Sequence, residues 1–416
     1  MTVSDPIHIQ DGMGKYTAYH ISVVADQQQQ QQQAPEMMMM QEPTGGNHSP
    51  MNYFSSSSGG GAVLRRYSDF VWLLERFRAE RGGAIVPPLP EKQSVNRFNA
   101  MFVAQRAAQL QVFLNDVYVH PELYDSECLQ TFLRADEGSF MLAKKQSELS
   151  GESKASALLA SASNPISKWF NGNGAAANGV PRQQTQDDLI MAQVAADLKE
   201  WELQIKSVLT HSQKLVKKSK EVANGYFEMG LAFTSLGQSE SDVLGRALTR
   251  VGQSSDKVSI ITAEHSEKEF ANYEAPLSHY LKVISSARDA VKCRNEAKES
   301  YYSKMAQVQQ HQLGMEKNRN RPGREEKYYH HSNVFQKSQQ ESEIALNNCN
   351  AVNQRVLREM DRFKRETEVK MKKIIREYVA LQVDYYSKME NIWGMLVTSL
   401  EEETAKDVEV ITVAQN

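Results

Sequence analysis

Arg65-Arg66-Tyr67-Ser68-Asp69-Phe70, the run Pro87-Pro88-Leu89-Pro90-Glu91-Lys92, and Arg106 further on place basic, aromatic and hydroxyl groups in three separate stretches of a 416-residue chain. A guanidinium meets phosphate oxygens with two parallel donors, a lysine adds a compact point charge, and an aromatic ring offers an apolar floor for a sugar-like ring. Taken singly, these pieces are ordinary strand charges, core aromatics and a proline turn. Their order and spacing make them read as one anionic headgroup pocket of the kind that suits an inositol phosphate.

Such a pocket needs elements that hold it. Residues 62–67 read as a strand in which side chains alternate, so Arg66 shares a face with Leu64 and Ser68 while Arg65 points the other way with Val63 and Tyr67. Only one of the two arginines can then face a ligand, and for Tyr67 to reach the same ligand as Arg66 the strand must end or twist there. Upstream, Tyr19, Ile21 and Val23 alternate with His20, Ser22 and Val24, the pattern of a half-buried strand. Phe70, Trp72, Leu73, Leu74 and Phe77 read as the start of a helix packed on the sheet, and Arg106 falls in a later helical stretch. Between the two strands, residues 27–61 are glutamine, methionine, serine and glycine, a composition that cannot bury a core and is expected to be disordered.

The basic-aromatic strand motif, the proline loop and the later helical arginine together resemble a PX (phox homology) domain, over roughly residues 3–136. The resemblance implies that Arg66 holds a 3-phosphate, Tyr67 packs on the inositol ring, Lys92 takes the 1-phosphate and Arg106 bonds the 4- and 5-hydroxyls, with Ser68 adding a hydrogen bond. It implies a small antiparallel sheet plus helices, with phosphatidylinositol 3-phosphate as ligand. In the family a short turn joins the first two strands, which leaves the 27–61 insertion as this chain's departure.

Formal net charge is only −3, so no bulk field draws the molecule to nucleic acid or to membranes, and binding must come from local patches. No nucleic-acid partner is expected. Cys128, Cys293 and Cys349 are scattered and odd in number, which argues for a reducing compartment and against a disulfide framework or structural zinc. His330 and His331 are helical neighbours about 100° apart and read as a solvated tip rather than a metal pair. The sequence carries no charged-then-apolar leader and no apolar run of membrane-spanning length, the pattern of a cytosolic protein that lies on membranes without crossing them. P-loop, zincin, nucleophile-elbow and kinase signatures are all missing, so neither an enzyme nor a cofactor is expected.

Residues 138–184 turn to serine, alanine, glycine and asparagine and read as a linker. Within it, Leu158, Leu159, Ile166, Trp169 and Phe170 form either a short interfacial amphipathic segment or hydrophobes docked on a neighbouring domain, with Pro165 breaking a continuous helix. From 185 to about 403 the chain is helical, interrupted near 237–242 and 318–323. Apolar residues keep three-and-four spacing in each of three helices: Leu198 to Phe233 in the first, Phe270 to Ile284 in the second, Leu381 to Leu400 in the third. The second, from about 241 to 313, would span roughly 110 Å at 1.5 Å per residue, with a bend expected at Pro276. A three-helix unit that long leaves apolar faces open, so dimerisation along its length is expected.

This layout resembles a BAR domain, and the tandem order resembles the PX-BAR sorting nexins. The domains read as 1–137 for PX, 138–184 for the linker, 185–405 for a BAR dimerisation and curvature module, and 406–416 for a tail. The resemblance implies endosomal sorting from the cytosolic face of early endosomes, with the retromer core as partner and a homodimer or a heterodimer with another such nexin. Lys317, Arg319, Arg321 and Arg324 at the tip, with Lys372 and Lys373 on the third helix, are the expected membrane-facing patch. For the third helix the alternative is that neighbouring acids neutralise the basic run in intrahelical pairs. A non-remodelling coiled-coil tether recruited by its PX domain is the other reading of the whole.

Overall fold

The computed structural model describes residues 1–11, 14–22, 62–92, 98–149, 184–240, 243–319 and 321–414. The insertion read as disordered and the amphipathic segment at 155–170 lie outside them. The chain divides into two compact units, Met1–Ala175 and Ala176–Asn416.

The first unit opens with an antiparallel hairpin, β1 (Thr2–Asp11) and β2 (Gly14–Ser22), joined at the edge of β2 by β3 (Val63–Arg66), in the order β1-β2-β3. The strand read as the first is therefore the second. β1 was hidden by Pro6, which lacks a ladder donor; the strand accommodates it with a register shift between Ser4 and Ile7 and a left-handed Asp5 at φ 45°. β2 pairs with β3 through Tyr19 opposite Arg65 and Ile21 opposite Val63. Among the described residues four helices pack with the sheet and with one another: α1 (Tyr67–Glu80), α2 (Ala100–Val119), α3 (Glu127–Arg134) and α4 (Glu137–Leu149). Tyr19, Phe70, Leu73, Phe77, Leu110, Phe113 and Phe132 fill the core, and Trp72 is nearly buried with them.

α4 corrects the linker boundary at 138. Asp136 caps it by accepting from the Ser139 amide at 2.8 Å, and Phe140, 3% exposed, packs edge-on against Trp72 and Phe132. The serine-rich composition concealed a helix that docks through its one buried large apolar residue, Phe140.

The second unit is helical throughout its described residues: α5 (Gln186–Ser239), α6 (Val243–Glu269), a π turn (Phe270–Glu274), α7 (Ala275–Asn318) and α8 (Glu325–Ala414). α6, the π turn and α7 form the continuous second helix of the sequence reading. Just before Pro276, where a bend is expected from the sequence, the helix widens into a π turn, and the Ala275 amide donates five residues back to the Phe270 carbonyl. α8 runs into the segment read as a tail, to Ala414.

The buried line of α5 departs from the predicted stripe. Met191, Leu198 and Ile205 step by sevens, and then, after an eleven-residue step, Val216, Ala223, Gly230 and Gly237 do so again. The predicted Leu215, Val222 and Met229 fall one residue out of phase and are exposed. The reason is close backbone packing against α6, where a Cβ on Gly252 would lie 2.7 Å from the Gly230 carbonyl and one on Gly237 would lie 2.6 Å from that of Gly245. Small residues mark the contact, and a search for large apolar ones misses it.

An ion-pair clasp fixes the start of α5. Asp188 accepts from Thr185 N at 2.8 Å in a capping box, from Arg294 Nη2 at 2.7 Å and from Lys298. Asn353 accepts from Arg294 Nε and donates to Asp187, both at 2.7 Å. Among the described residues, no helix is long and apolar enough to cross a membrane.

Candidate functional site

β3 ends at Arg66 and α1 begins at Tyr67, so the chain turns at the point where both side chains would have to serve one ligand. The two arginines divide as strand alternation requires. Arg65 is 2% exposed and donates to the carbonyls of Phe132 (2.9 Å), Leu64 (3.0 Å) and Ala135 (2.6 Å), with Phe140 4.1 Å beneath its guanidinium. Burial pulls its pKa down, and Asp69, Glu137 and Asp136 push it back. This is a structural arginine that ties β3 to α3 and α4.

Arg66 lies on the other side, with its side chain 42% exposed and its guanidinium 5.4 Å from the Tyr16 ring. Among the described residues its carboxylate contact is Asp69, at 3.6 Å from Nε, beyond hydrogen-bond range. Asp69 is engaged elsewhere: it accepts from the Arg66 amide at 2.9 Å and from Lys144 Nζ at 2.7 Å. The guanidinium of Arg66 is therefore ion-paired with Asp69 but, among the described residues, not hydrogen-bonded to it.

Tyr67, Arg106 and the proline loop are brought together. Tyr67 Oη donates to the Pro90 carbonyl at 2.6 Å, and Arg106 Nη2 donates to the Glu91 carbonyl at 3.0 Å. The Arg106 guanidinium lies 4.6 Å from the Tyr67 ring and 4.3 Å from that of Phe102. Arg106 is only 8% exposed, makes no ion pair among the described residues, and has a buried Nε without a hydrogen-bond partner. Burial raises the Tyr67 pKa while Arg106 opposes the shift, so the hydroxyl stays a donor. Lys92 follows this anchored loop and is exposed, as is Ser68 in the first turn of α1. Phe102 and Tyr16 were missed in the sequence; Phe102 precedes Arg106 by four residues on one helix, a spacing that could have found it.

A buried cation without an anion is costly, and this one lies on the rings of Tyr67 and Phe102, with Arg66 preceding Tyr67 and Lys92 following Glu91 in the chain. The arrangement can bind an anion bearing a ring. Among the described residues no cluster of histidine, cysteine and acidic side chains could hold a metal ion.

On the second unit, Lys317, Arg319, Arg321 and Arg324 are exposed around the α7–α8 turn, where Gly323 takes φ 74°. Arg324 reaches Asn318 at 3.4 Å, and Lys317, Arg319 and Arg321 make no ion pair among the described residues. Lys372 and Lys373 differ: they pair with Glu368 at 2.6 Å and Glu377 at 3.8 Å. Around them Arg362, Arg365 and Lys370 pair with acids one turn away.

Residues 55–136 match the PX domain family, and residues 166–399, more than half of the chain, match the family described as Vps5 C-terminal like. The chain belongs to the PX-BAR sorting nexins. The PX match begins within the insertion, after β1 and β2. Sorting nexin 1 of Arabidopsis thaliana is 28% identical over 345 residues, covering 82% of this chain and 83% of the relative. Vps5 of Schizosaccharomyces pombe is 24% identical over 263 residues, 61% of this chain and 44% of that protein. Human sorting nexin-1 is 22% identical over 320 residues, 74% and 54% respectively; the chain thus spans about half the length of these last two. The cryo-EM structure of the SNX-BAR Mvp1 tetramer superposes with a TM-score of 0.61 at 16% identity, over 95% of this chain and 99% of that one. This sorting nexin therefore pairs a small three-stranded α+β unit with a long helical one.

Proposed function

We propose that this sorting nexin binds phosphatidylinositol 3-phosphate through its first unit, dimerises through its helical unit, and supports retromer-linked protein sorting at early endosomes by sensing or inducing membrane curvature. The role is one of binding, with no catalytic step. The observation that carries the reading is Arg106: a residue only 8% exposed, with its guanidinium over Tyr67, latched to the loop that leads to Lys92, and without a counterion among the described residues. A phosphoinositide supplies an anion and a ring to lie against Tyr67, and Arg66 exchanges its 3.6 Å ion pair with Asp69 for a phosphate taken in bidentate fashion.

Dimerisation is supported by apolar side chains left open on one chain, among them Leu215, Val222, Phe227 and Leu231 on α5, Ile260 on α6, and Val383, Tyr386 and Met395 on α8. Relatives named as sorting nexins and as a vacuolar protein sorting-associated protein support the protein-sorting part of this reading. Two headgroup sites in one dimer would act jointly through effective concentration, and the tip cations would add to an anionic leaflet about 1 kcal/mol each.

The test is sedimentation of the full chain with vesicles containing phosphatidylinositol 3-phosphate, against vesicles with unphosphorylated phosphatidylinositol, followed by electron microscopy. Selective pelleting with tubules supports the proposal. Pelleting without change of shape favours the tether, and equal pelleting on both vesicles removes the headgroup reading.

A further inference from the structure

Asp69 is the internal rival for Arg66. Any phosphate that takes the Arg66 guanidinium must win it from a carboxylate whose Oδ1 lies 3.6 Å from Arg66 Nε. That carboxylate is 10% exposed, where charges attract more strongly than in bulk water. It is not left to Arg66, however. Lys144 reaches it from α4, 75 positions along the chain, with Nζ 2.7 Å from the same oxygen and a side chain only 16% exposed.

The placement of Lys144 is independent of that contact. Phe140, Lys144 and Ser147 lie on one face of α4. Phe140 is buried against Trp72 and Phe132, while the Ser147 hydroxyl accepts from Trp72 Nε1 at 3.0 Å. One turn of the helix between these two anchors delivers the ammonium group to Asp69. Arg65 feels the charge of Asp69, but its Nε, Nη1 and Nη2 are each directed to a carbonyl and it makes no ion pair with Asp69 among the described residues. Without Lys144, the ion-pair partner left to Asp69 there is Arg66, drawn in from 3.6 Å.

We propose that Lys144 is a positioning residue for the anion site: by neutralising Asp69 it keeps the guanidinium of Arg66 available to phosphate. The proposal rests on the headgroup reading above and assigns α4 a part in it. Lys144 itself touches no ligand; it sets the cost of releasing Arg66.

The experiment is calorimetric titration of the full chain with a water-soluble, short-chain phosphatidylinositol 3-phosphate, which reports the headgroup site without vesicle avidity. Lys144→Met, which keeps the apolar stem, is expected to bind roughly fivefold to tenfold more weakly, the low end of the coupling by which one group alters binding at another. Lys144→Arg is expected to retain affinity. Asp69→Asn combined with Lys144→Met removes rival and guard together and is expected to return affinity to within about twofold, since the carboxamide oxygen of the Asp69→Asn side chain can still accept from the Arg66 amide. A merely structural role for Lys144 predicts that the double variant stays as weak as Lys144→Met, and that result overturns the proposal. So does unchanged affinity in Lys144→Met while Arg66→Ala abolishes binding. If Arg66→Ala also binds normally, the headgroup reading falls and the proposal falls with it. The emission lost on adding Trp72→Phe to each variant, which separates Trp72 from the chain's three other tryptophans, senses Phe140 and Ser147 and checks that α4 stays docked.

Discussion

Replacing Arg106 with methionine separates a ligand-binding arginine from a structural one, because the two roles predict opposite outcomes for stability. In the unliganded protein Arg106 gains one hydrogen bond to the Glu91 carbonyl, about 1.5–3 kcal/mol for a charged donor. It also stacks on two rings, each about 0.5–2 kcal/mol. Against this stands the desolvation of a guanidinium that is 8% exposed, several kcal/mol after relaxation. The terms nearly cancel, and methionine fills similar space with favourable sulfur–ring contacts. Arg106→Met should therefore move the stability of the first unit by less than about 2 kcal/mol in either direction. Binding should suffer far more: losing a buried charged contact to the ligand costs about 2–5 kcal/mol, roughly 30- to 5,000-fold in Kd. Thermal melts and sedimentation with phosphatidylinositol 3-phosphate vesicles, run on the same preparation, read both quantities. A variant that loses more than about 3 kcal/mol of stability yet still pellets with the lipid would show that Arg106 is a structural keystone, and would refute the reasoning.

Three further outcomes are expected. Gly252→Ala should destabilise the helical unit by about 1–3 kcal/mol, because the new Cβ meets the Gly230 carbonyl at 2.7 Å and Thr234 N at 2.9 Å; Gly225→Ala, with open space around it, should instead stabilise by about 0.5–1 kcal/mol, both read from denaturation midpoints. Asp188 is held well below the usual carboxylate range: burial opposes this, and hydrogen bonds from Lys298, Thr185 and Arg294 outweigh it. Because the folded value is depressed, its contribution is fully present above the unfolded carboxylate value of about 4 and is lost as pH falls from there toward the folded value. Asp188→Asn should flatten that acid limb in melts taken between about pH 5 and pH 2, the window that this linkage sets. Reversing charge at Lys317, Arg319 and Arg321 should weaken vesicle tubulation more than headgroup binding, and equal losses in both assays would contradict the tip's assignment.

Local rules made part of this molecule legible from its residues. Strand alternation separated Arg65 from Arg66, and the demand that Tyr67 share a ligand with Arg66 required the strand to stop where it does stop. Three-and-four spacing and two breaks yielded the three long helices. What escaped depends on partners distant in sequence. β1 carries a proline that only its register shift makes tolerable. α4 is secured by Phe140 on Trp72 rather than by any pattern of its own. The inward face of α5 changes phase after Ile205 because glycines on α6 admit close approach. In the candidate site, the contact between Lys144 and Asp69 joins residues 75 positions apart, and no local signal announces it. The basic run of α8 looked like a membrane face in composition alone; several of its cations are satisfied by acids one turn away, pairs that are weak enough at exposed positions to exchange for lipid phosphate.

The glycine contacts between α5 and α6 also bear on mechanics. Two helices that touch backbone to backbone at Gly230 with Gly252 and at Gly237 with Gly245 cannot slide past one another without driving a side chain into a main chain. Under a bending load they respond as one thick beam rather than two thin rods, and a beam's resistance grows steeply with its thickness. The curvature role proposed above calls for that stiffness more than for another cation, and here it is supplied by the absence of side chains.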